Sequence, residues 1–295
     1  MISVNNLIKR FGSIVAVDNV SFDIAPGSLF GLLGPNGAGK STTINMMVGA
    51  LAPDSGSVNI NGGGNPLEPS VRRGIGNAPQ ALAIYEDLTG EENLTFFGRL
   101  YGLSGKQLRE RVQFCLTFSG LVDRRADRVS TYSGGMKRRL NLACAIVHDP
   151  PLILLDEPTV GIDPQSRNLI FDLIEQLRRE GRTIVYTTHY MEEAQRLCDR
   201  VAIIDHGRIL VLDTVPSLLA RHGGVAVVTA ELELNPADVS LPGVLDGTRL
   251  RFECRTPFED VARLHAQGVQ FRTLTVDSPD LESVFLNLTG RRLRD

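Results

Sequence analysis

The glycine-rich stretch GPNGAGKS, at positions 34–41, constrains the fold of this chain more than any other feature of its sequence. It lies between the apolar strand-like segment Leu29–Leu33 and a helix-like segment that stops at Gly49. Glycines let backbone N–H groups wrap an anion, and the N-terminus of the following helix adds a favourable dipole. The pattern G-x-x-x-x-G-K-[ST] in this context predicts a phosphate-binding loop in an α/β fold.

The side chains of this loop suit phosphate binding. Lys40 supplies a positive charge, and the Ser41 hydroxyl can ligate Mg²⁺. The residues that we expect to contact the nucleotide here are Gly34, Pro35, Asn36, Gly37, Ala38, Gly39, Lys40, Ser41 and Thr42.

Two adjacent carboxylates, Asp156 and Glu157, follow the apolar segment at 152–155. The carboxyl ends of buried strands are where ligands bind in α/β sheets. Asp156 suits a magnesium ion, and Glu157 can polarise the water that attacks a terminal phosphate. A strand that ends in Asp-Glu is more often only a solvated loop, so this prediction depends on the phosphate loop.

The pattern of segments predicts two domains. The first domain is expected to span residues 1–215. Residues 1 to about 60 read as strands and turns, and from 134 onward strand, helix and strand alternate, which favours a parallel sheet covered on both faces. A helical insertion at about 85–130 begins its helices with two apparent capping boxes, Thr89 with Glu92 and Ser104 with Gln107. Residues 216–295 instead contain short alternating strands, which predicts a small α+β domain.

The last helix of the chain is predicted to begin at Ser278-Pro279 and to stop at Gly290. It places one apolar face at helical spacing. The residues of this face are Leu281, Val284, Phe285 and Leu288.

Composition excludes several classes of function. The 31 basic and 34 acidic residues give a net charge of −3, so we expect no nucleic-acid partner. No apolar run approaches the roughly 20 residues of a membrane span, and the first residues lack a secretion signal, so we expect a cytoplasmic protein. The four cysteines are scattered and are expected to be reduced thiols.

The stretch YSGGM, at positions 132–136, identifies the family. Ser133 lies 23 residues before Asp156 (156 − 133 = 23). Ser133 and the N–H groups of Gly134 and Gly135 open a helix and can bind an anion. The stretch resembles the signature sequence of the nucleotide-binding domains of ABC transporters.

Three further residues match motifs of that family in the same order. Gln80 is similar to its Q-loop glutamine, Asp163 to its D-loop, and His189 to its switch histidine. Phe11 takes the place of the aromatic residue that stacks on adenine; without the resemblance, an ordinary core position would be an equal alternative for it. The resemblance implies that Glu157, His189 and Gln80 are catalytic and that Ser41, Gln80 and Asp156 hold the metal.

The resemblance also implies the fold and the partners. It implies a P-loop NTPase of ABC type with a parallel core sheet, an antiparallel β subdomain, a helical insertion and the small C-terminal domain. Its cofactors would be ATP and Mg²⁺. A second copy, arranged head to tail, would contribute Ser133 with its glycines, and Asp163 would communicate across the interface. A separate membrane-spanning permease would hold the chain at the cytoplasmic side of a bacterial membrane.

Tyr132 and Met136 depart from the usual signature, which has Leu and Gln at these positions. This form is similar to the branch that exports drugs, antibiotics and lipo-oligosaccharides. The C-terminal helix also resembles that branch, in which it helps to hold the dimer; the alternative is that it only packs its own domain.

Two other functions remain open from the residues. One is a soluble ABC ATPase that acts on ribosomes or in DNA repair, but the chain has a single phosphate loop and no heptad coiled coil. The other is a regulatory subunit that binds ATP without turnover, which the presence of Lys40, Glu157 and His189 disfavours.

Overall fold

The computed structural model describes residues 2–62, 64–234 and 239–291. The chain divides into two compact units, with the boundary between Val215 and Pro216. Among the described residues, no helix combines the length and apolar character that crossing a bilayer requires.

The first unit contains nine strands and seven α-helices among the residues described. Its strands are β1 (Ile2–Phe11), β2 (Ile14–Ile24), β3 (Leu29–Leu33), β4 (Ser55–Ile60), β5 (Ile75–Ala78), β6 (Leu152–Asp156), β7 (Thr183–Thr188), β8 (Arg200–Asp205) and β9 (Arg208–Thr214). Its helices are α1 (Lys40–Met47), α2 (Pro69–Arg72), α3 (Gly90–Leu100), α4 (Gly105–Phe118), α5 (Gly134–Ile146), α6 (Pro164–Arg179) and α7 (Met191–Leu197).

The central sheet of this unit has the strand order β5-β6-β7-β3-β8-β9. The neighbours from β5 to β8 pair in parallel, and only β9 is antiparallel. Every residue of β3 and β6 is buried, which is why both read as continuous apolar runs. The predicted parallel core sheet is confirmed, and it brings the loops after β3, β5, β6 and β7 to one edge.

The predicted antiparallel subdomain is a three-stranded sheet with the order β2-β1-β4. Its apolar side chains belong to the same buried cluster as residues of the central sheet, and Phe22 stacks on Phe30 with ring centroids 5.0 Å apart. This packing supports the strand that leads into the glycine-rich loop.

The helical insertion contains α3 and α4. The capping box at α3 is confirmed, because Glu92 N donates to Thr89 Oγ1 at 3.1 Å and Thr89 N donates to Glu92 Oε2 at 2.8 Å. The capping box at α4 is wrong: Ser104 precedes the helix, but its side chain makes no capping hydrogen bond. Gly105, the first residue of α4, has a φ of +55°, so the helix does not begin with the regular backbone that a capping box requires.

The second unit is α+β. Its strands are β10 (Ala226–Leu232), β11 (Val244–Asp246), β12 (Arg249–Cys254) and β13 (Phe271–Asp277), and its helices are α8 (Val215–His222), α9 (Pro257–Ala266) and α10 (Leu281–Thr289). The strands form an antiparallel sheet with the order β11-β12-β10-β13. Its core includes Val228, Leu250, Phe252 and Leu264.

The C-terminal helix α10 begins later than predicted. Asp280, not Ser278, is the residue before the helix, and its carboxylate accepts from Ser283 N at 2.7 Å. An aspartate at this position satisfies an N–H group that the helix leaves unpaired. The stop at Gly290, with a φ of +71°, is confirmed. Leu281, Val284 and Phe285 are buried and Leu288 is half-buried, whereas a role in dimerisation stays a prediction.

Candidate functional site

The glycine-rich loop follows β3 and leads directly into α1. Gly37 and Gly39 have φ values of +79° and +104°, which side chains other than glycine rarely adopt. A Cβ atom on Gly39 would also lie 2.4 Å from the Ala16 carbonyl oxygen. The loop therefore needs glycine both for its backbone conformation and for its close approach to β2.

Lys40, the first residue of α1, has its ammonium group inside the loop. Its Nζ donates to the carbonyl oxygens of Gly34 at 2.8 Å and Pro35 at 3.1 Å. The same atom lies 3.0 Å from Glu157 Oε1, and the two side chains are only 4% and 5% exposed. A buried charge is tolerated when it is paired in this way.

Glu157 is the residue on which the predicted site converges. Gln80 Nε2 donates to Glu157 Oε2 at 3.1 Å, and His189 Nδ1 lies 3.3 Å from the same oxygen. Lys40 holds the other carboxylate oxygen. Glu157 also has a φ of +46°, a strained conformation for this residue type that often accompanies a functional site.

Asp156 is held by Thr187, a residue to which the sequence pattern assigned no role. Thr187 Oγ1 donates to Asp156 Oδ1 at 2.6 Å and accepts from Glu157 N at 3.0 Å. The signal that could have identified Thr187 is strand register, because Thr187 is paired with Asp156 between β6 and β7. That pairing becomes visible only once the order of the strands is known.

Arg138 of α5 is a second residue that sequence reasoning missed. Its guanidinium donates to the carbonyl oxygens of Gln80 at 2.5 Å and Val160 at 3.3 Å. Burial lowers the pKa of Arg138, and the nearby charges of Glu157 and Asp156 oppose that shift. Arg138 thus joins α5 to the segments around Gln80 and Val160, which are far apart in the sequence.

An open cavity of about 510 Å³ lies over the loop, within the usual size of a small-molecule site. Its lining among the described residues is Ala16, Asn36, Gly37, Gly39, Lys40, Ser41, Thr42, Gln80, Glu157, Val160 and His189. Most of the predicted phosphate-loop and catalytic residues are therefore brought together by the fold.

The donor set beside this cavity fits a magnesium ion. Ser41, Gln80 and Asp156 offer hydroxyl, amide and carboxylate oxygens, which are the hard ligands that Mg²⁺ prefers. No group of three or more His, Cys, Asp or Glu residues in the described chain could form a protein-only metal cage. Mg²⁺ usually takes one or two carboxylates and completes its shell with water and phosphate.

Phe11 lies at the end of β1, outside the lining of the cavity. Its side chain is 51% exposed, and Lys9 Nζ lies 5.8 Å from the ring centroid. The alternative that Phe11 is a core residue is therefore wrong, and its ring is accessible for stacking.

The signature and D-loop residues do not line the cavity in the described part of the chain. Ser133 caps α5 by accepting from Met136 N at 3.3 Å, and Ser133 and Gly134 are exposed. Asp163 caps α6 by accepting from Ser166 N at 2.9 Å, and the hydrogen bonds from Ser166 hold the pKa of Asp163 below its ordinary value.

Gly135 packs α5 against the start of α6. A Cβ atom on Gly135 would lie 2.1 Å from Ser166 Oγ, so any larger residue would force the two helices apart. The signature helix and the D-loop helix are thus in direct contact within one chain.

Comparisons with known proteins show which family this chain belongs to. The model of the ABC transporter family matches residues 17–160. The linearmycin resistance ATP-binding protein LnrL of Bacillus subtilis (strain 168) is 41% identical to this chain, and the alignment covers 100% of both proteins. Nod factor export ATP-binding protein I of Cupriavidus metallidurans is 41% identical and covers 100% of this chain and 99% of its own.

Solved structures of ATP-binding cassettes are similar to most of this chain. A dimeric post-hydrolysis state of an ATP-binding cassette, bound to ADP and Pi, is similar with a TM-score of 0.66 at 29% identity. The match covers 72% of this chain and 98% of that one. With its phosphate loop, its ABC-type fold and relatives that match along its whole length, the chain belongs to the ATP-binding ATPase proteins of the ABC transporter family.

Proposed function

We propose that this chain hydrolyses ATP as the motor subunit of an exporter of drugs, antibiotics or lipid and oligosaccharide compounds. It works with a second copy and with a separate permease that forms the transport path. The observation that carries the proposal is the convergence of Lys40, Gln80 and His189 on the Glu157 carboxylate beside the phosphate loop.

The chemistry assigned to these residues follows from their positions. When the nucleotide binds, its phosphates replace the Glu157 carboxylate as the partner of Lys40. The released Glu157 then polarises the attacking water. His189 and Gln80 orient the γ-phosphate and the water. Ser41, Asp156 and Gln80 would hold Mg²⁺, which would supply neutralising charge to the phosphate oxygens when bound.

The proposed dimer would supply signature residues that the cavity of a single chain does not include. Ser133 and Gly134 present an exposed helix N-terminus that suits a γ-phosphate, and buried Gly135 follows them in the same turn; these residues lie outside the cavity lining among the described residues. A second copy, placed head to tail, would bring them over the nucleotide. ATP binding then favours the closed dimer, and hydrolysis lets it open. A similar solved structure that is dimeric and bound to ADP and Pi supports dimerisation.

The permease partner is supported by an exposed apolar surface on the helical insertion. Tyr85, Phe96 and Leu100 are 50%, 41% and 68% exposed, and the rings of Tyr85 and Phe96 pack edge to face 5.0 Å apart. Tyr85 follows Gln80 closely in the chain, so docking at this surface can reach the site. We assign it to the permease, which would hold the chain at the cytoplasmic face of the membrane.

Export is proposed from the relatives, whose names refer to linearmycin resistance and Nod factor export. The alternative of a soluble ABC ATPase on ribosomes or DNA is less well supported, because the chain carries no basic surplus.

An ATPase assay on the purified chain, alone and with its co-expressed permease, tests the proposal. We expect magnesium-dependent hydrolysis by the native chain and none by Glu157→Gln, which should instead form a dimer with ATP on size exclusion with light scattering. Absence of hydrolysis in both preparations of the native chain would rule out the motor function. Failure of any polytopic membrane protein to co-purify would argue for the soluble alternative.

A further inference from the structure

Glu193, on helix α7, is a charged residue buried in the interior of the first unit. It is 2% exposed. Carboxylates are rarely buried without strong partners, because removal from water disfavours the charge. The contacts of Glu193 therefore show what the carboxylate stabilises.

One carboxylate oxygen holds the turn that carries His189. Tyr186 Oη and Thr188 Oγ1 donate to Glu193 Oε2 at 2.8 and 2.7 Å. Thr188 Oγ1 in turn accepts from Tyr190 N at 2.9 Å. The residues on both sides of His189 are thus tied, directly or through one hydroxyl, to the Glu193 carboxylate.

Tyr186 extends the contacts toward the loop after β6. Its Oη lies 3.4 Å from Thr159 Oγ1, and Thr159 is two residues past Glu157. Burial raises the pKa of Tyr186 well above its ordinary value, and the charge of Glu193 adds to the effect. Tyr186 therefore remains a neutral donor to the carboxylate.

The other carboxylate oxygen faces α6, the helix that the D-loop residue Asp163 caps. Arg167 Nε lies 3.6 Å from Glu193 Oε1, beyond hydrogen-bond distance, and within the described residues neither atom has a hydrogen-bond partner. The Arg167 guanidinium also lies over the ring of Tyr190, 5.1 Å from its centroid. A movement of α6 by less than about 1 Å would convert this contact into a hydrogen bond.

We propose that Glu193 is a positioning residue for His189, and that through Arg167 it links the placement of that histidine to the position of α6. The proposal rests on the proposed function, in which His189 orients the γ-phosphate. A D-loop displaced by a second copy would then change the geometry of the hydrolytic site in the same chain.

Glu193→Gln tests this link with little change in shape. Glutamine Oε1 can still accept from Tyr186 and Thr188, whereas its NH₂ group faces the Arg167 guanidinium and cannot bind it. We expect kcat for ATP hydrolysis to fall by about 10- to 100-fold, because misplacement of a catalytic group by a fraction of an ångström is costly. The dissociation constant for ATP should stay within about twofold of the native value, since Glu193 does not line the cavity.

Glu192→Gln is the matched control, because Glu192 is the exposed neighbour on the same helix. Arg167→Gln should lower kcat as Glu193→Gln does, and the double variant should lose little more than either single variant if the two side chains act as a pair. Circular dichroism and thermal unfolding confirm that each variant is folded.

A readout that needs no turnover separates this inference from the proposed function. In the nucleotide-free chain, the NMR signal of the His189 imidazole is identified by its loss in His189→Ala. We expect this signal to shift in Glu193→Gln and in Arg167→Gln but not in Glu192→Gln. An unshifted signal, or a kcat for folded Glu193→Gln equal to that of Glu192→Gln, would overturn the inference. An inactive native chain with a shifted signal would contradict the motor function and leave the positioning role intact.

Discussion

The Lys40 ammonium forms a buried ion pair with Glu157, at 3.0 Å, in the place where the phosphates of a nucleotide are expected. Glu157, the residue proposed to polarise the attacking water, is thus paired with Lys40, the cation of the phosphate loop. On this arrangement, nucleotide binding has to displace Glu157 from Lys40.

Glu157→Gln should therefore increase the affinity for ADP by about 2- to 10-fold, because a neutral amide competes less well for the lysine than a carboxylate does. ADP is the appropriate ligand, since it lacks the γ-phosphate that would also join two copies. Isothermal titration calorimetry measures the effect, with Glu192→Gln as the control. Unchanged or weaker ADP binding would contradict the competition between Glu157 and phosphate.

Thr187→Val should lower kcat by about 10-fold or more with little effect on ATP affinity. Valine has nearly the shape of threonine, but it leaves Asp156 Oδ1 and Glu157 N without the hydroxyl that joins them. The lost hydrogen bonds should also cost about 1–3 kcal/mol of folding free energy, measured by urea unfolding. Thr275→Val, on an exposed position of β13, should change neither quantity. Normal turnover in Thr187→Val would contradict a role for Thr187 in ATP hydrolysis.

Arg138→Ala should reduce kcat more than it reduces ATP affinity. The substitution removes the only side chain among the described residues that hydrogen-bonds both the Gln80 and the Val160 carbonyl oxygens. Lys137→Ala is the control, because Lys137 pairs with the exposed Glu86 instead. Steady-state kinetics separate kcat from KM, and equal kinetics in the two variants would contradict a role for Arg138 at the site.

A mixing experiment tests the head-to-tail dimer. Lys40→Ala and Ser133→Arg chains should each be inactive, but a mixed dimer contains one site with both native residues. An equimolar mixture should therefore regain up to about a quarter of the native ATPase rate. A mixture of Lys40→Ala with Glu157→Gln is the control, because both residues belong to the same half of a site. Failure of the first mixture to exceed the second would argue against a shared site.

His148 should make stability depend on pH. Burial lowers the pKa of His148 from 6.5 to about 4, and its ring stacks on Tyr101 with centroids 3.5 Å apart. The unfolded chain binds a proton more readily between these values, so stability is full above pH 6.5 and falls as the pH drops toward 4. After allowance for partial exposure, the loss should reach about 2 kcal/mol.

His148→Phe keeps the stack and removes the titration. Urea unfolding at pH 7 and pH 4.5 should show a smaller pH-dependent loss in this variant than in the native chain. Equal losses would assign the pH dependence to other groups.

Local pattern predicted much of this protein. The strand Leu29–Leu33 and the helix stop at Gly49 follow from an apolar run and from glycine, which act over a few residues. The prediction at Ser278 was wrong because the carboxylate of Asp280 caps the helix two residues later. At Ser104 the capping box was wrong, and the positive φ of Gly105 departs from a regular helix start.

The sequence by itself determined the family, the phosphate loop and the identity of Asp156, Glu157 and His189 as candidates, because these residues occur in contiguous motifs with their own chemistry. Only the tertiary structure decided that Lys40 pairs with Glu157 and that Thr187 joins the two carboxylate residues. It also decided which residues surround Glu193. These contacts join segments far apart in the chain, and they depend on the order and register of β6, β7 and β3, which no local pattern encodes.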